Sequence, residues 1–284
     1  MPHPFFCAAR PLVFAHRGGS ALAPENTIAA FDNGLSLGAD GLELDVHLSR
    51  DGVVVVHHDR LLDRTTNLRG PIEDLASGAL ARADAGYHFR RDGACPFRGR
   101  QIGVPTLAEV LARYRDVRII VELKVNTDDL ARGVVEVVRA AGASERVCVG
   151  SFGLRALRMV RRLDPSIATS AAREEVRWAL YRSKLRWPVS RVSYDGYQVP
   201  GWAGRTRVVS PRFIRDAHRA GLHVQIWTVD AEDEARRLLG WDADALITDR
   251  PDVMVAVVKS LKSKGLTPVP ETLDLRLRLS CGFG

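Results

Sequence analysis

The residues best equipped for chemistry sit in one stretch, GLELDVHLSRDGVVVVHHD, residues 41–59. Leu42, Leu44, Val46 and Leu48 alternate with Glu43, Asp45 and His47. Side chains alternate across a strand, so a strand here turns the apolar set to one face and the acids to the other. The segment RIIVELKV, residues 118–125, repeats the device, with Ile119, Val121 and Leu123 opposed to Ile120, Glu122 and Lys124. Acids facing a protein interior repel one another and lose hydration, so they require a cation, a proton or a basic partner. Glu43, Asp45 and Glu122 make a ligand set for one hard divalent ion, Mg²⁺ or Ca²⁺. They would equally make a salt-bridged core cluster with Arg17 and Lys124 as countercharges, and the spacing leaves both readings open.

Asp51-Gly52 is a hairpin signal. If these two residues form the turn, Arg50 pairs with Val53, Asp45 with His58 and Val46 with His57. Directly opposite residues share a face, which puts His58 beside the acids and His57 on the apolar side. A slip of one residue would reverse that choice. His16 closes another apolar run, LVFAH. Alone it would be an ordinary hydrogen-bonded histidine. Two histidines beside three acids can pass protons, because imidazole titrates near neutral pH. Arg17 and Lys124 add positive charge for an anion. Acid, base, metal and anion clamp are the parts needed to cleave a phosphodiester, and a metal-assisted lyase or aldolase would use the same set. In HVQIWTVD, Gln225 and Trp227 share a face. An inward Trp227 would either wall a substrate site or pack the core.

Such side chains need a scaffold that gathers strand ends. From Leu12 to Ser260 the chain alternates strand-like and helix-like segments, with about eight strands, most followed by a helix. That rhythm predicts a parallel sheet with right-handed crossovers, and its length fits a closed (β/α)8 TIM barrel, whose active sites lie at the C-terminal ends of the strands. A doubly wound sheet would advertise a Gly-rich first turn, which His16-Arg17-Gly18-Gly19 does not match. Residues 61–101 break the rhythm after the second-strand hairpin and read as a small insertion capping the mouth. One domain is expected over residues 1–264, followed by a C-terminal tail at 265–284.

The 284 residues are 46% hydrophobic and 26% charged, as in soluble globular proteins. The net charge of +7 comes largely from arginines on amphipathic helix faces, as in Leu154–Leu163, so no nucleic-acid partner is expected. No transmembrane segment is expected either, because no apolar run reaches the roughly 18 residues of a span. Cys7, Cys95, Cys148 and Cys281 are scattered, which suits a reducing cytoplasm better than a disulfide framework.

Further motifs join these: HRG at 16–18, PENT at 24–27, GADGLELDV at 38–46, DGVVVVHHD at 51–59, RTT at 64–66, PTLAEVL at 105–111, VELK at 121–124, WTVD at 227–230 and ITDRP at 247–251. In this order they resemble the glycerophosphodiester phosphodiesterase family. The resemblance implies a (β/α)8 barrel that uses a divalent cation to cleave a small-molecule glycerophosphodiester to glycerol 3-phosphate and an alcohol. By motif, His16 and His58 resemble the catalytic pair. Glu43, Asp45 and Glu122 resemble the metal ligands. Arg17 and Lys124 resemble phosphate contacts, and Trp227 a substrate-side wall. Asp230 departs from the asparagine common in the family. Two other readings stay open. One is a lysophospholipase D-like hydrolase, with an apolar groove around Tyr87, Phe89 and Phe97. The other is a non-catalytic barrel that binds a phosphorylated ligand.

Overall fold

The first strand, β1 (Leu12–His16), leads through α1 (Ile28–Ser36) into β2 (Gly41–Leu48), which folds back as the short antiparallel β3 (Val54–Val56). After α2 (Ser77–Leu80) in the insertion come α3 (Leu107–Arg113), β4 (Arg118–Leu123), α4 (Asp128–Ala140), β5 (Val147–Gly150), α5 (Leu154–Leu163) and β6 (Ala168–Thr169). Then follow α6 (Arg173–Leu185), β7 (Gly196–Pro200) and a two-stranded ribbon, β8 (Trp202–Ala203) and β9 (Thr206–Arg207). The last elements are α7 (Pro211–Arg219), β10 (His223–Trp227), α8 (Glu232–Leu239), β11 (Ala245–Thr248) and α9 (Pro251–Ser263). This computed structural model describes residues 3–185, 187 and 192–263, so the tail expected at 265–284, with Cys281, lies outside the described residues.

Eight parallel strands run in the order β6-β5-β4-β2-β1-β11-β10-β7, and a parallel bridge from Ser170 to Gly196 joins the two ends of the row. The result is the expected (β/α)8 barrel. Its strand faces follow the alternation of the sequence. Leu42, Leu44, Val46, Ile119, Val121 and Leu123 pack outward beneath the helices. Phe14, Ile120, Cys148, Ala168, Ala245 and Ile247 fill the interior, closed below by Phe5 and Phe6. A fully buried phenylalanine contributes about 2–3 kcal/mol, so this apolar floor helps to hold the polar layer above it. Gly41 is required where β2 passes Phe14, because a Cβ there would lie 2.5 Å from its ring.

The β2–β3 hairpin corrects the expected register. Val46 pairs with Val56, His47 with Val55 and Leu48 with Val54. The turn has three residues, Arg50-Asp51-Gly52. Ser49 N donates to Val53 O, Gly52 N donates to Ser49 O, and Gly52 takes φ 76°. Asp51 secures it by accepting Ser49 Oγ at 2.6 Å and Ser77 N at 2.8 Å. Asp45 therefore faces His57, whose N–H donates to the Asp45 carbonyl.

The insertion forms its own small core from Leu62, Ile72, Leu80, Ala83 and Ala85 against Val55 and Val104. Helix α1 begins at Ile28. Asn26 takes φ 58° and Thr27 caps the helix by accepting Ala30 N. Residues 24–26 are thereby released from the helix and reach the mouth of the barrel.

Candidate active site

A cavity of about 830 Å³ opens at the C-terminal ends of the strands. Glu43 and Asp45 enter it from β2 and Glu122 from β4, and one oxygen of each lies within 4.8 Å of the others. Lys124 Nζ stands 3.1 Å from Glu122 and 3.3 Å from Asp45. Arg17 Nε stands 3.2 Å from Asp45 Oδ2, and its Nη1 donates to Glu25 at 3.0 Å. Arg17 holds φ 51°, a strained backbone for a side-chain-bearing residue, which its own N–H bond to Glu43 and its side-chain contacts sustain. Asn26 clamps Asp45 twice, donating to its carboxylate at 2.8 Å and accepting its N–H at 3.2 Å.

The two basic residues form ion pairs with Asp45 and Glu122 but none with Glu43. Glu43 is 4% exposed, accepts the N–H of Arg17, and has His16 Nε2 as its nearest cation at 3.8 Å. Burial first, then the Asp45 carboxylate, pushes its pKa up to about 8. Asp45 is held below the usual range despite burial, because Lys124 and Arg17 face it.

His16 and His58 both line the cavity. His16 Nδ1 lies 2.6 Å from Asp249 Oδ1, and His58 Nδ1 lies 2.6 Å from Asp59 Oδ1. Each carboxylate fixes its ring by one nitrogen and leaves Nε2 for the cavity. Burial lowers the His16 pKa, but Glu43 and Asp249 outweigh it and raise the ring to about 9. Asp59 is in turn held by Arg64 at 2.5 Å, and Arg64 also donates to Glu25 at 2.7 Å. His57 is 4% exposed and bonded to the Asp59 carbonyl and Thr65 Oγ1. His58, and not His57, lines the cavity, although the register from which that placement was expected does not hold. Strand β3 ends at Val56, and the bend that follows aims His58 inward while His47 Nε2 contacts the His58 carbonyl at 3.0 Å.

Trp227 lines the opposite side of the cavity and meets Phe152 edge-on at 5.9 Å. No residue of 61–101 lines the cavity; the insertion braces the site from one side through Arg64. The groove expected around Tyr87, Phe89 and Phe97 is not at the cavity. Phe89 and Phe97 pack on each other at 5.3 Å, and Arg98 covers Tyr87. The apolar lining comes instead from Val176, Leu180 and Tyr181 of α6 and from Trp202 of the ribbon.

The model of the glycerophosphoryl diester phosphodiesterase family matches residues 16–253. The chain belongs to this family. A glycerophosphodiester phosphodiesterase of Caldanaerobacter subterraneus subsp. tengcongensis is 31% identical over 257 residues, 88% of this chain and 98% of that protein. The crystal structure of a glycerophosphodiester phosphodiesterase from Agrobacterium tumefaciens is 29% identical, with a TM-score of 0.71, over 87% of this chain and 100% of that one. An Oleispira antarctica phosphodiesterase, solved with the product sn-glycerol-3-phosphate, is 28% identical, with a TM-score of 0.71, over 88% of this chain and 97% of that one.

The donor set of this family member suits a divalent ion. Its ligands are all carboxylate oxygens, Asp45 Oδ1 is buried without a hydrogen-bond partner, and Glu43 lacks a close countercharge. Sequence reasoning missed the residues that orient the others: Glu25, Asn26, Asp59 and Asp249. The motifs PENT, HHD and ITDRP contain all four, but nothing in their spacing says what they face. Asp230 explains its own departure. Its carboxylate accepts Thr248 Oγ1 and Asp249 N, both at 2.8 Å, which an asparagine carbonyl would do as well.

Proposed function

We propose that the chain is a metal-dependent glycerophosphodiester phosphodiesterase, a phosphoric diester hydrolase releasing glycerol 3-phosphate and an alcohol. The observation that carries this reading is the pair of carboxylate-held imidazoles, His16 and His58, facing the acidic triad across one cavity. A protein that only binds a phosphorylated ligand has no use for two proton carriers.

Glu43, Asp45 and Glu122 would hold one Mg²⁺ or Ca²⁺, which supplies Lewis-acid neutralisation of the phosphate. Arg17 and Lys124 add positive charge for the non-bridging oxygens. One imidazole takes the proton of the attacking oxygen through Nε2, and the other delivers a proton to the oxygen of the leaving alcohol. Asp249 and Asp59 keep the two rings in register for that exchange, as an acid behind a histidine does in hydrolytic triads. Trp227 walls the glycerol or leaving-group side. Scattered cysteines with no disulfide among the described residues support a cytoplasmic setting. The apolar lining from α6 and β8 supports, as a second reading, a lysophospholipid as the diester.

The test is glycerol 3-phosphate release from glycerophosphocholine and glycerophosphoethanolamine with Mg²⁺, Ca²⁺ or EDTA. Metal-dependent release is expected. No release from folded protein under any metal would overturn the reading, and turnover of lysophosphatidylcholine alone would favour the second.

A further inference from the structure

Eight large apolar side chains stand exposed among the described residues. Two are Leu61 and Val125; of the other six, Phe152, Tyr181 and Trp202 line the cavity, Trp178 and Leu185 share helix α6 with Tyr181, and Trp187 follows that helix by two residues. Trp178, Tyr181 and Leu185 recur at helical spacing along α6 and form one stripe. The neighbouring stripe, with Arg177, Leu180 and Lys184, lines the cavity. Tyr181 belongs to both: it borders the cavity and is 61% exposed. Trp202 likewise borders the cavity and is 54% exposed. Scattered exposed apolar residues are ordinary, whereas a contiguous aromatic rim marks an interaction surface.

Cations are interleaved with the rings. The guanidinium of Arg173 lies 5.0 Å from the centre of Phe152, and that of Arg207 lies 5.8 Å from Trp202. A guanidinium stacked on a ring keeps its N–H edges for an anion. We propose that this rim docks the protein on an anionic phospholipid bilayer, with the tryptophans and Tyr181 entering the headgroup zone and the cations meeting lipid phosphates. Trp and Tyr prefer that zone, and basic residues beside them strengthen adsorption to anionic lipid. The net charge of +7 acts in the same direction. A second copy of the chain on the same face would oppose these cations with their like, because a two-fold contact pairs a patch with itself. A bilayer seated here lies at the mouth of the cavity. The inference rests on the rim alone and holds whichever diester the site cleaves.

The test is co-sedimentation of the full chain with vesicles of phosphatidylcholine alone or mixed with phosphatidylglycerol. Binding to the mixed vesicles, weakened by salt, is expected. A Trp178→Ser/Leu185→Ser variant should bind them roughly tenfold more weakly, since it removes two apolar anchors. Its hydrolysis of glycerophosphocholine should match that of the parent, because neither residue lines the cavity. Equal binding to both vesicle types, or undiminished binding by the variant, would overturn the proposal. So would a dimer in sedimentation equilibrium that the variant dissolves. Vesicle binding is read without catalysis, so a failure of the proposed reaction shows separately as absent turnover.

Discussion

Asp249 Oδ1 lies 2.6 Å from His16 Nδ1 although 233 residues separate the two in the chain. The contact exists because β11 pairs with β1, with Ala15 beside Thr248. Asp249 also accepts Ser20 Oγ at 2.6 Å, so its carboxylate is itself held in place. Asp249→Asn should lower kcat by about 10- to 100-fold, the scale of lost acid–base orientation. It should also bring the His16 titration down from its raised value of about 9, since Asp249 is one of the two acids that lift it against burial. Steady-state kinetics and NMR titration of the metal-free protein check both effects.

Adjacent histidines should respond in opposite ways. His58→Ala and His16→Ala should each cost at least about a hundredfold in kcat while the fold is kept. His57→Ala should keep kcat within about tenfold. It should instead lower the melting temperature by a few degrees, because it strips buried partners from the Asp59 carbonyl and Thr65. Kinetics and thermal melts of the three variants separate the roles.

Glu43 ties metal binding to stability. Mg²⁺ or Ca²⁺ should raise the melting temperature of the wild type, since a ligand bound only by the folded state stabilises it. Glu43→Gln should abolish that rise. In EDTA the variant should melt at or above the wild-type temperature, because burial beside Asp45 makes the charged Glu43 costly. Differential scanning calorimetry with and without metal reads the effect independently of turnover.

At the opposite end of the barrel, His223 stacks on Phe6 with ring centres 4.5 Å apart. Burial first, then Arg10, lowers its pKa from 6.5 to about 4. The unfolded chain therefore takes up a proton that the folded chain refuses. The stability this neutral ring allows is present above pH 6.5 and is lost as pH falls toward 4, by up to about 3 kcal/mol. His16 works with the other sign, since its raised pKa adds stability at low pH that is lost toward pH 9. Urea unfolding at pH 7.5 and pH 5 should show a shallower acid loss in His223→Gln than in the wild type, and the difference isolates His223.

The amino-acid sequence by itself determined the barrel strands, their inward and outward faces, and the residues that carry charge at their ends. The reason is local. A period of two separates Glu43 and Asp45 from Leu42 and Leu44 wherever that strand lies, and a period near 3.6 marks helices such as Leu154–Leu163. Tertiary structure decided what those strands meet. The three-residue turn at Arg50-Asp51-Gly52 shifted the hairpin by one pairing, and the bend after Val56 returned His58 to the cavity. Closure of the ring brought Asp249 to His16, while the segment before α1 lets Glu25 and Asn26 hold Arg17 and Asp45. The apolar side of the mouth came from α6 and β8, not from the aromatic insertion. Each of these depends on where a distant segment docks, and docking is set by packing of the whole barrel, which no local periodicity encodes.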